Sequence, residues 1–241
     1  QVKEVTSLAN PIVKDIKALS LKKARDETKS FMAEGLKLVI DALDLGWTIR
    51  TLVYSKAAKG KPMVEKVAAR TVAAGGLVLE VSEKVMSAIT RRDNPQMVAG
   101  VFEQRWTALR DVHPAGSETW VALDRVRDPG NLGPIIRTAD AAGASGVILV
   151  GDTTDPFAVE AVRATMGSLF HVPLARLTRE GFREIAARWP GTVVGTHLKG
   201  SSDYRTIDYR RPSLLLMGNE QSGLPQEMAE ACSALARIPQ A

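Results

Sequence analysis

Short apolar runs and helical stripes alternate along this chain. Asn10-Pro11 reads as an N-cap followed by proline at the first helical position, and Ile12, Ile16 and Leu19 then form one apolar stripe, with Lys14 and Lys17 facing away from it. A helix at 37–45, a strand at 50–55, a helix at 62–74, a strand at 77–82, a short helix and a strand at 97–103 follow, which together predict a small α/β unit. The pattern breaks in 106–119, where Pro114, Ala115, Gly116 and Ser117 cluster. Beyond the break, strands are predicted at 120–123, 147–150, 169–174, 192–196, 213–217 and 235–238. Leu132, Ile135, Ile136 and Ala139 keep helical spacing between them, as do Phe182, Ile185, Ala186 and Trp189. Asp155-Pro156 is expected to start a helix carrying Val159, Val162 and Met166, and Trp189-Pro190-Gly191 to end the next one. Strand and helix in alternation, with short connections, predict a parallel sheet covered on both faces. The expected division is a first domain over 1–105, a linker over 106–118 and a second domain over 119–241.

Composition narrows the class. With 241 residues, 45% hydrophobic and 24% charged, the chain suits one or two ordinary globular domains and is neither disordered nor collagen-like. No apolar run approaches the roughly 18 residues of a membrane-spanning helix. The single Cys232 and the absence of an apolar signal region at the start favour a reducing cytoplasm. The net charge of +5 is unevenly spread: residues 1–110 hold 19 basic and 12 acidic side chains, leaving 13 and 15 for 111–241. A basic first half suits a polyanionic partner such as nucleic acid, and a solvated Lys-rich surface fits the same charge equally well. The cluster with weight as an RNA surface is Lys14, Lys17, Lys22, Lys23, Arg25, Arg91 and Arg92.

Several chemistries are excluded by spacing. The glycines at 218 and 223 are followed by Leu224-Pro225, which is no phosphate loop, and no G-x-G-x-x-G follows a strand. His113, His171 and His197 lack Cys or carboxylate companions at metal-ligand spacing, so no metal is expected, and Cys232 falls among apolar neighbours. Ser168, Ser201 and Ser222 lie in no nucleophile elbow. What remains are polar, glycine-bearing turns at the carboxyl ends of successive strands, where open α/β sheets place ligands. In the turn at 124–133, Asn131 suits an N-cap and its amide could instead meet a ligand. Arg137 could clamp a phosphate or pair with Asp124 or Asp128. In the turn at 218–225, Glu220 at a strand end needs a polar partner. In the turn at 195–200, His197 reads either as a general base or as an ordinary loop histidine.

Three strings carry a resemblance. Asp-Pro-Gly-Asn-Leu-Gly-Pro-Ile-Ile-Arg-Thr-Ala (128–139), Met-Gly-Asn-Glu-Gln-Ser-Gly-Leu-Pro (217–225) and Ala-Arg-Ile-Pro (236–239) resemble motifs one, two and the opening of three of the SpoU (TrmH-type) RNA ribose methyltransferases of the SPOUT superfamily. Thr6-Ser7-Leu8-Ala9-Asn10-Pro11 and the basic segment after it look like the ribosomal-protein-like substrate-binding domain that often precedes the catalytic one. The resemblance spans nearly the whole chain and is weakest at 56–118. It implies a knotted (trefoil) parallel-sheet catalytic domain, a fold that ordinary chain-path rules would not yield. It also implies a homodimer, S-adenosylmethionine as cofactor, and methyl transfer to a ribose 2′-hydroxyl of RNA, ribosomal RNA being favoured over transfer RNA because of the separate basic domain. By the family's pattern Asn131, Arg137 and Glu220 are catalytic, and the cofactor is held around Thr196, His197, Leu198, Gly218, Asn219, Gly223, Ile238 and Pro239.

An arginine pKa above about 12 makes a neutral guanidine rare, so Arg137 is read as binding the adjoining RNA phosphate and stabilising the developing alkoxide rather than as a base. A catalytically inactive RNA-binding homologue, a transfer-RNA enzyme and a base-nitrogen methyltransferase are the competing readings. Motif three in the family continues past Ile-Pro into a glycine-bearing turn and a helix, whereas this chain stops at Gln240-Ala241 and starts at Gln1; further residues are expected at both ends.

Overall fold

The computed structural model describes residues 1–112, 115–198 and 202–239. His113 and Pro114 of the expected linker, Lys199–Ser201 after the third turn, and Gln240-Ala241 lie outside these. The first half contains β1 (Val2–Val5), α1 (Pro11–Ala18), α2 (Lys22–Thr28), β2 (Ser30–Glu34), α3 (Leu36–Asp44), β3 (Ile49–Ser55), α4 (Pro62–Ala73), β4 (Leu77–Val81), α5 (Glu83–Thr90) and β5 (Val98–Glu103). Then come β6 (Thr119–Asp124), α6 (Pro129–Ala141), β7 (Gly146–Val150), α7 (Val159–Thr165), α8 (Ser168–His171), β8 (Leu174–Leu177) and α9 (Arg179–Arg188). The chain continues through β9 (Val193–Thr196), β10 (Ser202–Asp203), β11 (Ser213–Met217), α10 (Gln226–Glu230) and β12 (Ala234–Arg237). Among the described residues no helix is long and apolar enough to cross a membrane.

The chain forms two compact units, one of Gln1–Arg105 with Phe157–Phe170 and one of Trp106–Pro156 with His171–Ala241. The first unit has a five-stranded sheet in the order β1-β4-β3-β5-β2, parallel among β1, β4 and β3 and antiparallel across β5. Asn10 caps α1 through Oδ1, which accepts from Ile12 N at 2.9 Å, and Pro11 opens the helix. Val13, Ile16 and Leu19 then join Val53, Leu79 and Val85 in the core.

The placement of 157–170 departs from the contiguous division drawn from the sequence. Phe157 and Phe170 pack at a tilt against Phe31, and Phe170 also meets Trp47 edge-on and Phe102 at a tilt. Arg163 on α7 donates to Glu34 and to the Thr90 carbonyl. Rings that bury this much apolar area dominate a core's energetics and decide where a short segment packs. The same packing corrects two expectations. Leu169 and Phe170 lie in the helix α8, and the strand begins only at Leu174. α7 starts after Ala158 rather than at Asp155-Pro156, and Met166 is its exposed left-handed C-cap.

The second unit has a seven-stranded sheet, parallel throughout, in the order β10-β12-β9-β11-β6-β7-β8. β7 is buried along its whole length, as a central parallel strand covered on both faces must be. Trp120, Ile148, Phe182, Trp189, Leu214, Leu216 and Met228 form the core that fixes the sheet. With all strands pointing one way, the loops after β6, β7, β9, β11 and β12 gather at one edge.

Candidate functional site

At that edge, β6 ends in Asp124, which is wholly buried. Its carboxylate accepts from Arg179 Nε at 3.2 Å and Nη2 at 3.1 Å, and from Arg125 Nε at 3.3 Å. Arg179 also donates through Nη1 to Glu227 at 3.1 Å. The hydrogen bond to Asp124 raises the Arg179 guanidinium above its usual range, so it remains a cation at any workable pH. Arg125 adopts a left-handed backbone at φ 53°, unusual for a residue other than glycine, and its carbonyl accepts from Asn219 Nδ2 at 2.8 Å. The loop after β6 is thereby tied to the loop after β11.

The loop after β11 is folded tightly on itself. Asn219 Oδ1 accepts from Gln221 N and Ser222 N, and Gly223 N donates to the Asn219 carbonyl at 2.9 Å. Gly223 stands at φ +68°, and a Cβ at Gly218 would lie 2.5 Å from the Gly223 carbonyl carbon, so both positions require glycine. This turn brings Glu220 to Asn131: Asn131 Nδ2 donates to Glu220 Oε1 at 3.2 Å across 89 residues of sequence.

Asn131 is not the N-cap of α6, as its side chain had suggested. Asp128 takes that place, accepting from Gly130 N at 2.8 Å, with Pro129 as the first helical residue. Pro locks φ at a helical value and pushes the residue before it into extended backbone, so Asp128 is the cap and Asn131 is left exposed on the first turn. Arg137 lies six residues on, about 9 Å further along the helix axis. It is exposed and makes no ion pair among the described residues; neither Asp124 nor Asp128 holds it.

The adjacent strands β12, β9 and β11 each run out into exposed apolar residues. Leu198 is 81% and Ile238 54% exposed, and Met217 is also open to solvent. His197 N donates to the Ala236 carbonyl at 2.9 Å, which holds the turns after β9 and β12 side by side. Thr196, His197, Leu198, Gly218, Asn219, Gly223, Ile238 and Pro239 therefore all belong to one edge of the sheet. Large apolar side chains kept in water suit a flat heterocycle that stacks on them, as the adenine of S-adenosylmethionine would. Cys232 sits behind this edge, half-buried, and burial pushes its thiol up to about 11. At pH 8 about one molecule in a thousand would carry the thiolate, against about one in four for a free cysteine. Disulfide-exchange reagents should accordingly react far more slowly than with a model thiol, and the rate should climb up to pH 11. A free-cysteine rate at pH 8 would show the thiol to be accessible.

Asp124 and Arg179 escaped the sequence reading as a pair. The signal was Arg179 at the first position of a helix, where a cation opposes the helix dipole unless an anion meets it.

Within the first unit, six of the seven basic candidates are at least partly exposed and one is not. Arg25 is 4% exposed and donates to the Leu19 carbonyl at 3.0 Å. It holds the α1–α2 corner and is removed from the RNA-facing set; a basic run in sequence does not show which member turns inward. Arg25→Met should cost about 1.5–3 kcal/mol of stability in urea unfolding, the worth of a charged hydrogen bond, without altering RNA affinity of the folded fraction. A loss of RNA affinity at unchanged stability would restore it to the set. Lys22 and Lys23 pair with Asp26 and Glu27, and Arg92 approaches Glu34 at 4.0 Å.

The profile of the SpoU rRNA Methylase family matches residues 118–241, and that of the MRM3-like substrate binding domain matches residues 10–100. The chain belongs to the SpoU rRNA methylase family. It is 31% identical over 99% of its length to the 23S rRNA (guanosine(2553)-2′-O)-methyltransferase RlmP of Bacillus subtilis, covering 91% of that protein. It is 32% identical to the 23S rRNA (uridine(2479)-2′-O)-methyltransferase of Streptomyces viridochromogenes, over 90% of this chain and 77% of that one. A crystal structure of an AdoMet-bound rRNA methyltransferase from Sinorhizobium meliloti superposes with a TM-score of 0.93 at 70% identity, covering 100% of this chain and 90% of that chain. The SpoU match places Asn131, Arg137 and Glu220, and the edge formed by β12, β9 and β11, within the methylase region of this family.

Proposed function

We infer that this protein transfers a methyl group from S-adenosylmethionine to a ribose 2′-hydroxyl of ribosomal RNA. The observation that carries the site is the Asn131–Glu220 contact, which joins the two long family motifs beside the exposed apolar edge. Bound there, the cofactor supplies a methyl group already activated by its sulfonium. The protein has then to align the hydroxyl with that group and help remove a proton from a weak acid. Glu220 holds the Asn131 amide by its NH₂, leaving Oδ1 outward as an acceptor for the ribose hydroxyl. Arg137, free of intramolecular partners among the described residues, grips the adjoining RNA phosphate and stabilises the alkoxide as it develops, with the proton relayed through that phosphate. Lys14, Lys17, Lys22, Lys23, Arg91 and Arg92 dock the RNA through its phosphates. The reading places the protein in the cytoplasm, where ribosomal RNA is modified.

The trefoil knot and the homodimer belong to the same proposal. β12 lies between β9 and β10, elements laid down before it, as a threaded carboxyl terminus requires. An apolar groove of about 540 Å³ runs between α6 and the β6–β11 face, with Pro134, Ile135, Val121 and Leu215 in its wall. A second copy covering this groove would carry α6, and with it Arg137, into a shared site. Incubation with radiolabelled S-adenosylmethionine and bulk ribosomal RNA, followed by alkaline hydrolysis, should leave label in cleavage-resistant dinucleotides. RNA binding without such label would favour the inactive homologue, and label only in transfer RNA would move the substrate. Light scattering at micromolar concentration should give a dimer; a monomer with full activity would overturn the shared site.

A further inference from the structure

The first unit contains a cavity of about 250 Å³ between the end of β3, the first turns of α5 and the loop that leads into β5. Its polar lining is Ser55, Glu83, Ser87, Asp93, Asn94 and Gln96. Ser55 borders it as well: the residue is 4% exposed and its hydroxyl, covered by neighbouring atoms, has no hydrogen-bond partner. A buried hydroxyl without a partner is costly to the fold, and a rotation of the Ser55 side chain toward the cavity would give this one a partner on a ligand. Met97, 40% exposed, supplies polarisable apolar surface for a ring face, and Met86, which also borders the cavity, is fully buried.

We propose that this cavity receives one unpaired guanine of the RNA substrate. The volume lies just under the about 300–1,000 Å³ of sites for drug-sized ligands, which suits a single planar heterocycle. Glu83 and Asp93 are acceptors only when ionised. Guanine is the one RNA base that presents two adjacent N–H donors, N1–H and N2–H, on its Watson–Crick edge. Adenine and cytosine set an acceptor beside their amino group, and uracil flanks its single N–H with two carbonyls. A carboxylate therefore accepts two bonds from guanine and meets a repelling lone pair on each of the others. The Ser55 hydroxyl, both donor and acceptor, pairs after that rotation with the base atom nearest it. Lys56 and Lys84 adjoin lining residues in sequence, and Arg91-Arg92 precede Asp93, so phosphates on either side of the base meet cations rather than the two carboxylates alone. Sequence-specific RNA recognition targets splayed, unpaired bases in this way, and the cavity gives this unit a means of reading sequence as well as charge.

The inference rests on the RNA-methylating reading, and its test separates the two. Fluorescence anisotropy of the full chain at low salt would compare the RNA pentamers UUGUU, UUAUU, UUCUU and UUUUU. UUGUU should bind at least about tenfold tighter than the rest, the worth of one bidentate base contact. The Glu83→Gln/Asp93→Asn double variant, altered at two exposed positions, should bring all four within about twofold, and Ser55→Ala should weaken UUGUU most of the four. Equal binding of the four pentamers by the native chain, or a guanine preference that survives the double variant, would overturn the pocket. Methylation of ribosomal RNA, measured on the same preparation, reports separately. Methylation with equal pentamer binding removes the pocket alone. Guanine preference that the double variant abolishes, without methylation, removes the catalytic reading and keeps the pocket.

Discussion

Arg137→Ala should lower single-turnover methylation of ribosomal RNA by about 10²–10³-fold, the usual effect of deleting one group that stabilises a developing oxyanion. Calorimetric binding of S-adenosylmethionine should stay close to that of the native protein, because Arg137 lies on α6, away from the β12, β9 and β11 turns. It is exposed and unpaired among the described residues, so its removal leaves no buried partner behind. Arg137→Lys separates the two requirements, keeping a positive charge while losing the planar two-pronged grip on a phosphate. An intermediate loss of about tenfold or more is expected for it. If Arg137→Lys retained activity within a few-fold of native, neither phosphate binding nor alkoxide stabilisation by this side chain could be essential.

The largest effect on stability should come from Arg179. Asp124 is fully buried and takes two hydrogen bonds from Arg179, with a third from Arg125. Arg179→Met keeps most of the packing volume but leaves a buried carboxylate with only the Arg125 contact. Breaking such a pair from one side typically costs about 3–5 kcal/mol, and the surviving Arg125 contact puts the expectation at the lower end. In a chain of this size about 3 kcal/mol lowers the melting temperature by roughly 6–12 °C. Adding Asp124→Leu to Arg179→Met should recover most of that loss, since replacing both charges by apolar groups removes the uncompensated one. A loss below about 1 kcal/mol in the single variant would show that the carboxylate reaches water and that the clamp is not structural. The same variants should raise the KM for S-adenosylmethionine. Asp124 and Arg125 end the strand whose loop Asn219 joins to the second motif, and a loosened strand end misplaces both loops.

Much of the architecture follows from local pattern. The apolar run Leu214–Leu216, of the size of a buried strand, is one, and the regular spacing in α6 and α9 identified both helices. The pattern misled where a short apolar stretch serves either state. Leu169 and Phe170 read as strand, and aromatic packing against Phe31 and Phe102 made them helix. Cap chemistry misled at Asn131, where a proline two residues earlier had already settled which residue caps the start of the helix. Arg25 shows the corresponding limit for charge: its neighbours on α2 face water, and only packing turned this one guanidinium toward the Leu19 carbonyl.

The family was legible in the chain alone, through long strings whose residue types and order are specific, as were most strands and helices and the basic bias of the first half. Tertiary structure alone decided which side chains meet. Asn131 and Glu220 are 89 positions apart, Asp124 and Arg179 are 55 apart, and residues 157–170 leave the half in which they are encoded. Periodicity reports which face of an element is apolar, because that depends on the element alone. Pairing across a sheet edge depends on strand order and crossovers, which arise only when several elements bury their apolar faces together.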